Sequence, residues 1–248
     1  MSRYYRSSFG GIGPGGWSPA VRTLIIVCSV VFVLQMFDSV AGGQSTIVSK
    51  FGLNPYVVTH NFYLWQLVTY IFLHGGIMHI LFNMLGLWMF GTDLERLWGT
   101  RAFTKAFFLC GIGGAVFKVL LNPSASQITL GASGAILGLL VAYGFLFPER
   151  IIILFIFPIK VKWFVIGYAV LTVLSSISGG GMTDYQVHLG GMLCGLFYMK
   201  GGRFFSDIRL QYDKWRRARL RRKFEVYYNE RHRGDRDNGE QKWRRWKN

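Results

Sequence analysis

Gly131-Ala-Ser-Gly-Ala-Ile-Leu-Gly-Leu-Leu-Val-Ala-Tyr-Gly-Phe-Leu-Phe147 is an uncharged run stopped by Pro148. It sits near the lower limit of about 17 residues for a helix that spans a bilayer. An uncharged polar stretch, residues 122–130, precedes it. A short helix entered from such a loop implies that the loop dips into the bilayer. Irregular backbone at that depth is tolerated only inside protein or beside water. The sequence therefore predicts a membrane helix over 131–147 and a wet cavity at its start.

The rest of the chain agrees with a membrane setting. Apolar runs recur at 21–37, 102–121 and 163–178, each with at most one charge apart from Arg22 and Lys105 near their ends. About half of the 248 residues are hydrophobic, 17% are aromatic and 16% are charged. A typical soluble domain carries about 25% charged residues, so the first 200 positions supply too little charged surface for water.

The predicted organisation is all-α: a polytopic membrane protein with six transmembrane helices. Ser18-Pro19 supplies an N-cap and a proline at the first helical position. Helices follow over about 19–40, 76–92, 101–121, 131–147, 163–178 and 184–200. Between the first two lies a mixed, partly helical interfacial loop, residues 42–75, carrying Trp65 and Tyr63. Asp93–Gly99 reads as a charged turn. Residues 149–162, interrupted by Pro158, read as an interfacial connector. The domain plan is a disordered cytoplasmic N-terminus over 1–18, a six-helix membrane domain over 19–200, and a basic cytoplasmic tail over 201–248.

Charge placement orients this bundle. Residues 200–248 hold 17 Lys/Arg and 7 Asp/Glu, which is +10 of the net +16. Arg3, Arg6, Arg22, the 93–105 segment, the 149–162 connector and the tail fall on one side. The other side has Lys50 and Lys118. By the excess of Lys and Arg in cytoplasmic loops, both termini are expected in the cytoplasm, in a plasma or bacterial inner membrane. The tail's Trp215, Trp243 and Trp246 lie among its arginines. Its expected contact is anionic lipid, with no specific nucleic acid partner. Cys28, Cys110 and Cys194 lie inside apolar segments and fit no metal or redox spacing.

Ionisable residues inside a membrane are functional candidates. His79 and Asn83 stand one turn apart on helix two, so they share a face. His188 is on helix six, and Ser133 opens helix four. Helices two, four and six run in the same direction, with His79 at about the fourth residue of its helix, Ser133 at about the third and His188 at about the fifth, so these three lie near one depth. Gly134-x-x-x-Gly138 and Gly191-x-x-x-Gly195 let helices four and six approach closely. That packing brings Ser133 toward His188, an activated-nucleophile pair. His79, Asn83 and the backbone N–H groups at the start of helix four are donors for an oxyanion.

His74-Gly-Gly-Ile-Met-His79-Ile-Leu-Phe-Asn83, Gly131-Ala-Ser133-Gly134 and His188-Leu-Gly-Gly191, in this order on separate helices, resemble the rhomboid proteases. The resemblance covers about residues 19–200. It implies Ser133 as nucleophile, His188 as general base, and His79, Asn83 and the Ser133 N–H as the oxyanion site. It also implies that Gly131 fits the tight loop before the serine, with Gly134 as supporting backbone. The chain departs from some members in having Leu137 where a tyrosine stacks on the histidine, and from many in having Trp65-Gln66 where they have Trp-Arg.

The function expected is intramembrane serine endopeptidase, cutting single-pass transmembrane proteins near the outer face, without metal or organic cofactor. A Ser133–His188 dyad is favoured over a triad that adds Asp184, because Thr183-x-x-Gln186 fits a capping box that explains Asp184 as a helix-start residue. The alternative is a catalytically silent relative that binds membrane clients. A transporter would need a polar path across the bilayer, whereas the inner halves of helices two, four and six are apolar. A nucleic-acid or ribosome partner acting through the tail would have no need of Ser133.

Overall fold

The computed structural model describes residues 18–42, 45–154, 157–177 and 185–201. The N-terminal segment before Ser18, the basic tail beyond Gly201, the Gly179–Gly181 loop and Asp184 lie outside the described residues.

Helix α1 (Pro19–Gly42) is apolar along most of its length, with Pro19 at its first position. Its start is held differently from expectation. The Ala20 and Val21 N–H groups donate to the two carboxylate oxygens of Glu95, at 2.8 and 2.9 Å, and the Thr100 hydroxyl donates to the same carboxylate at 2.8 Å. A buried carboxylate from another helix thus does the capping expected of Ser18. An anion there also complements the positive end of the helix dipole.

Glu95 lies on a helix because the expected charged turn is not a turn. Helix α5 (Ile77–Gly86), a π-helical stretch (Leu87–Gly91) and α6 (Thr92–Trp98) follow without a break. Asp93 and Glu95 both find partners, so their charges do not end the helix. The break comes at Gly99, whose φ of +82° favours glycine. Helix α7 (Thr100–Leu121) follows.

The segment between α1 and α5 is partly helical, as its composition predicts: α2 (Thr46–Phe51), α3 (Pro55–His60), α4 (Gln66–Thr69) and a 3₁₀ turn at Tyr70–Phe72. Gln66 is fully buried. It accepts from the Asn54 N–H at 3.0 Å and donates to the Lys50 carbonyl at 3.2 Å, so an uncharged amide holds the loop. Trp65 donates to the same carbonyl at 3.0 Å. The loop is sewn to residues 122–131. Leu53 and Thr129 exchange backbone bonds of 3.0 and 2.8 Å, and the Gly131 N–H donates to the Tyr70 carbonyl at 2.9 Å.

The core is organised around α8 (Ser133–Leu146), where every residue from Gly134 to Tyr143 is buried. A Cβ on Gly138 would lie 2.5 Å from the Gly191 carbonyl oxygen. A Cβ on Gly191 would collide with the Gly134 carbonyl, and one on Gly195 with that of Gly138. Helix α10 (Tyr185–Lys200) therefore lies against α8 through backbone, along the two predicted glycine faces.

The connector corrects the all-α expectation. Ile151–Leu154 (β1) and Phe157–Lys160 (β2) pair as an antiparallel hairpin, with Ile152 opposite Ile159. The Val161 N–H closes its base on the Arg150 carbonyl at 2.8 Å. β-Branched isoleucines favour the pleated conformation, and Pro158 is tolerated because both strands are edges. Helix α9 (Val161–Ile177) begins directly after β2, two residues before the expected start.

The fold is therefore mostly helical with one small hairpin. By length and composition, three described helices can cross a bilayer: Pro19–Val40, Ile77–Trp98 and Thr100–Leu121. Helices α8 and α9 are apolar but shorter.

Candidate active site

Three helix starts converge on one cavity. Its volume is about 1030 Å³, and Ser133, His188, His79 and Asn83 all line it. Phe164 and Tyr168 of α9 and Ile128–Leu130 of the preceding loop form further wall.

Ser133 is the first residue of α8. The Ile136 N–H donates to the Ala132 carbonyl at 3.0 Å, the first bond of that helix. The N–H groups of Ser133, Gly134 and Ala135 are therefore the donors that an α-helix leaves at its N-terminus. The Ser133 hydroxyl lies 2.6 Å from His188 Nε2. His188 is 6% exposed, so this contact is largely shielded from water. Leu137 sits on the cavity wall, and among the described residues the ring of Tyr185 meets His188 edge-on, with centroids 6.4 Å apart. Tyr185 is one turn before His188 on the same helix; that spacing was the available signal for it.

His79 and Asn83 flank the loop before the serine. The Asn83 amide donates to the His79 carbonyl at 3.0 Å, which fixes its orientation and leaves a second N–H by the chemistry of the amide. The Gly75 N–H donates to His79 Nδ1 at 3.3 Å, so Nε2 is the ring nitrogen directed away from the α5 start. Gly131 has φ +119° and packs against the His79 ring. The turn leading into α5 is held from α1: Gln35, buried inside the bundle, accepts from the His74 N–H at 3.0 Å and donates to its carbonyl at 3.3 Å.

Lys118 has a role that charge counting missed. It is 3% exposed, and its ammonium contacts the Thr129 hydroxyl at 2.5 Å and the Gln127 carbonyl at 3.5 Å. It pins the loop that leads into Ser133. Its signal was an isolated lysine within an otherwise apolar helix.

Among the described residues no group of three or more His, Cys, Asp or Glu side chains has the arrangement to hold a metal ion. The geometry suits a nucleophilic hydroxyl beside an imidazole, with amide and imidazole donors across the cavity. This is the equipment of acyl transfer.

A family model of the rhomboid domain matches residues 61–202, and the chain belongs to the rhomboid family. The family consists of multi-pass membrane proteins and includes intramembrane serine proteases. The chain is 32% identical over 162 residues to Rhomboid protein 1, mitochondrial, of Saccharomyces cerevisiae, covering 59% of this chain and 45% of that protein. It is 30% identical over 133 residues to RHOMBOID-like protein 5 of Arabidopsis thaliana, covering 54% of this chain and 42% of the relative. It is 34% identical over 139 residues to Rhomboid protease GluP of Bacillus subtilis, covering 54% and 25% respectively. The matched region thus spans less than half the length of each of these relatives.

Proposed function

We propose that this protein is an intramembrane serine endopeptidase that hydrolyses peptide bonds of single-pass transmembrane proteins near the outer face of the membrane. In this reading six helices cross the bilayer, both termini are cytoplasmic, and the basic tail meets anionic lipid. The 2.6 Å contact between Ser133 Oγ and His188 Nε2, inside a cavity at the helix starts, carries the proposal.

Ser133 attacks the scissile carbonyl while His188 takes the hydroxyl proton. The oxyanion that forms is met by the Ser133 N–H, the Asn83 amide and His79. His188 then protonates the departing amine, and water releases the acyl-enzyme by the reverse sequence. The intact pair favours this reading over a silent client-binding relative.

The test is labelling of purified protein by a serine-reactive phosphonate, with cleavage of a transmembrane substrate measured in the same micelles. Both are expected in the native protein, neither in Ser133→Ala, and neither in His188→Ala. Cleavage retained by Ser133→Ala overturns the nucleophile. Labelling retained by His188→Ala overturns the base. A folded native protein that neither labels nor cleaves supports client binding instead.

A further inference from the structure

The β1–β2 hairpin turns apolar side chains outward. Ile151, Ile153 and Phe157 are 60, 67 and 65% exposed, and Trp163, just beyond β2, is 61% exposed. The register puts Ile151 opposite Lys160 and Ile153 opposite Pro158, so these four share one face. The other face is only partly packed: Ile152 and Ile159 are half-buried, Ile152 against the core, while Phe157 stands exposed on that same face nearer the turn. In water, two short open-edged strands of isoleucine and phenylalanine would invite association.

Their surroundings specify what covers them. The Lys160 and Lys162 ammonium groups both pair with the Glu149 carboxylate, at 2.8 and 2.5 Å, which leaves this cluster one net positive charge. The Lys162 ammonium also lies 5.6 Å from the centre of the Trp163 ring. Tryptophan beside lysine is the side-chain signature of the membrane–water boundary. Helix length gives an independent argument. Helix α8 has 14 residues. At 1.5 Å per residue it is about 21 Å long, roughly 9 Å short of a bilayer's hydrocarbon thickness. Part of that shortfall is taken up where the loop before Ser133 dips into the bilayer, and the remainder keeps the end of α8 no farther out than the headgroup–acyl boundary. Backbone there must be hydrogen-bonded, and pairing the two strands satisfies half of it, the open edges needing headgroup water.

We propose that the hairpin is seated in the headgroup–acyl boundary of the leaflet at the C-terminal end of α8, with Ile151, Ile153 and Phe157 among acyl chains and Lys160 and Lys162 at anionic phosphates. The hairpin leads directly into α9, so this seating sets the depth of the helix that brings Phe164 and Tyr168 to the cavity. The lipid contact is independent of the protease reading and is measured without it.

The experiment uses the full chain with its three cysteines replaced by alanine and a single environment-sensitive fluorophore on Ile153→Cys, or separately on Phe157→Cys. Each is reconstituted in vesicles of phosphatidylcholine, with and without phosphatidylglycerol. Quenching by nitroxides near the top of the acyl chain is expected to exceed quenching by aqueous iodide at both sites. Adding phosphatidylglycerol is expected to blue-shift the emission, and Lys160→Gln with Lys162→Gln is expected to abolish that shift. Iodide quenching equal to that of a fluorophore free in water, at both sites, overturns the proposal. So does self-quenching that rises with protein-to-lipid ratio, which would place a second copy on this face. Emission indifferent to phosphatidylglycerol overturns the anionic component.

Discussion

Gly131 and the His79 ring fit against each other with no room for a methyl group: a Cβ on Gly131 would lie 2.7 Å from His79 Nε2 and 2.9 Å from Cε1. The φ of +119° at Gly131 adds a backbone conformation that alanine adopts only under strain of about 1–3 kcal/mol. Gly131→Ala should therefore push His79 away or shift the loop that carries Ser133. The expected result is at least a tenfold loss of kcat with the protein still folded, read from turnover and a melting curve. Native turnover would show that this contact has no part in the chemistry.

Asn83→Ala should lower kcat by about 10²–10³ with little change in KM, because its second N–H is assigned to charge that exists only in the transition state. His79→Ala should move the same parameter. Steady-state kinetics on one transmembrane substrate separate the cases. A rise confined to KM would reassign these residues to substrate binding.

Glu95→Gln should destabilise the fold without touching the reacting groups. The amide has one acceptor oxygen for three donors, and its own NH₂ faces the start of α1. A buried donor left unsatisfied costs about 1–3 kcal/mol. Denaturation should show that loss, while phosphonate labelling of Ser133 below the transition proceeds at the native rate.

Gly191→Ala should separate α10 from α8, since the added methyl meets the Gly134 carbonyl. Both stability and cleavage are expected to fall, because His188 moves with its helix. Gly167→Ala is the matched control: nothing lies within 4 Å of a Cβ there. In a helix interior that change stabilises by about 0.5–1 kcal/mol. Equal behaviour of the two variants would contradict backbone contact between the helices.

The Glu149 carboxyl is drawn down to about 2 by its hydrogen bonds to Lys160 and Lys162, with burial opposing. A carboxylate depressed in this way contributes stability above its unfolded pKa of about 4.3 and loses it as pH falls toward 2. Carboxyl carbon shifts across that range should place the midpoint well below the ordinary glutamate value. A midpoint at the ordinary value would mean that the ion pairs do not persist in solution.

The site was legible in the sequence because its parts are local. Ser133, His79 and His188 each sit within the first turn or so of a helix, and helix boundaries alone align such positions in depth. The Gly134/Gly138 and Gly191/Gly195 spacings likewise declared the seam. What escaped depends on distant partners. Glu95 meets the start of α1 some 75 positions away, so its segment looked like a charged turn. The hairpin escaped because both faces of its strands are apolar, which removes the alternation that marks a strand; its isoleucines were the remaining clue. The Tyr185 ring meets His188 from its own helix, a contact that the motif position held by Leu137 does not signal.

The glycine seam also divides the molecule for anyone who would redesign it. Where backbone touches backbone there is no side chain to exchange, so the register of Ser133 against His188 cannot be tuned by repacking α8 and α10. Phe82, Phe164 and Tyr168 line the same cavity from α5 and α9, outside that seam. A library seeking new cleavage preferences belongs at these three positions, with the four glycines held constant.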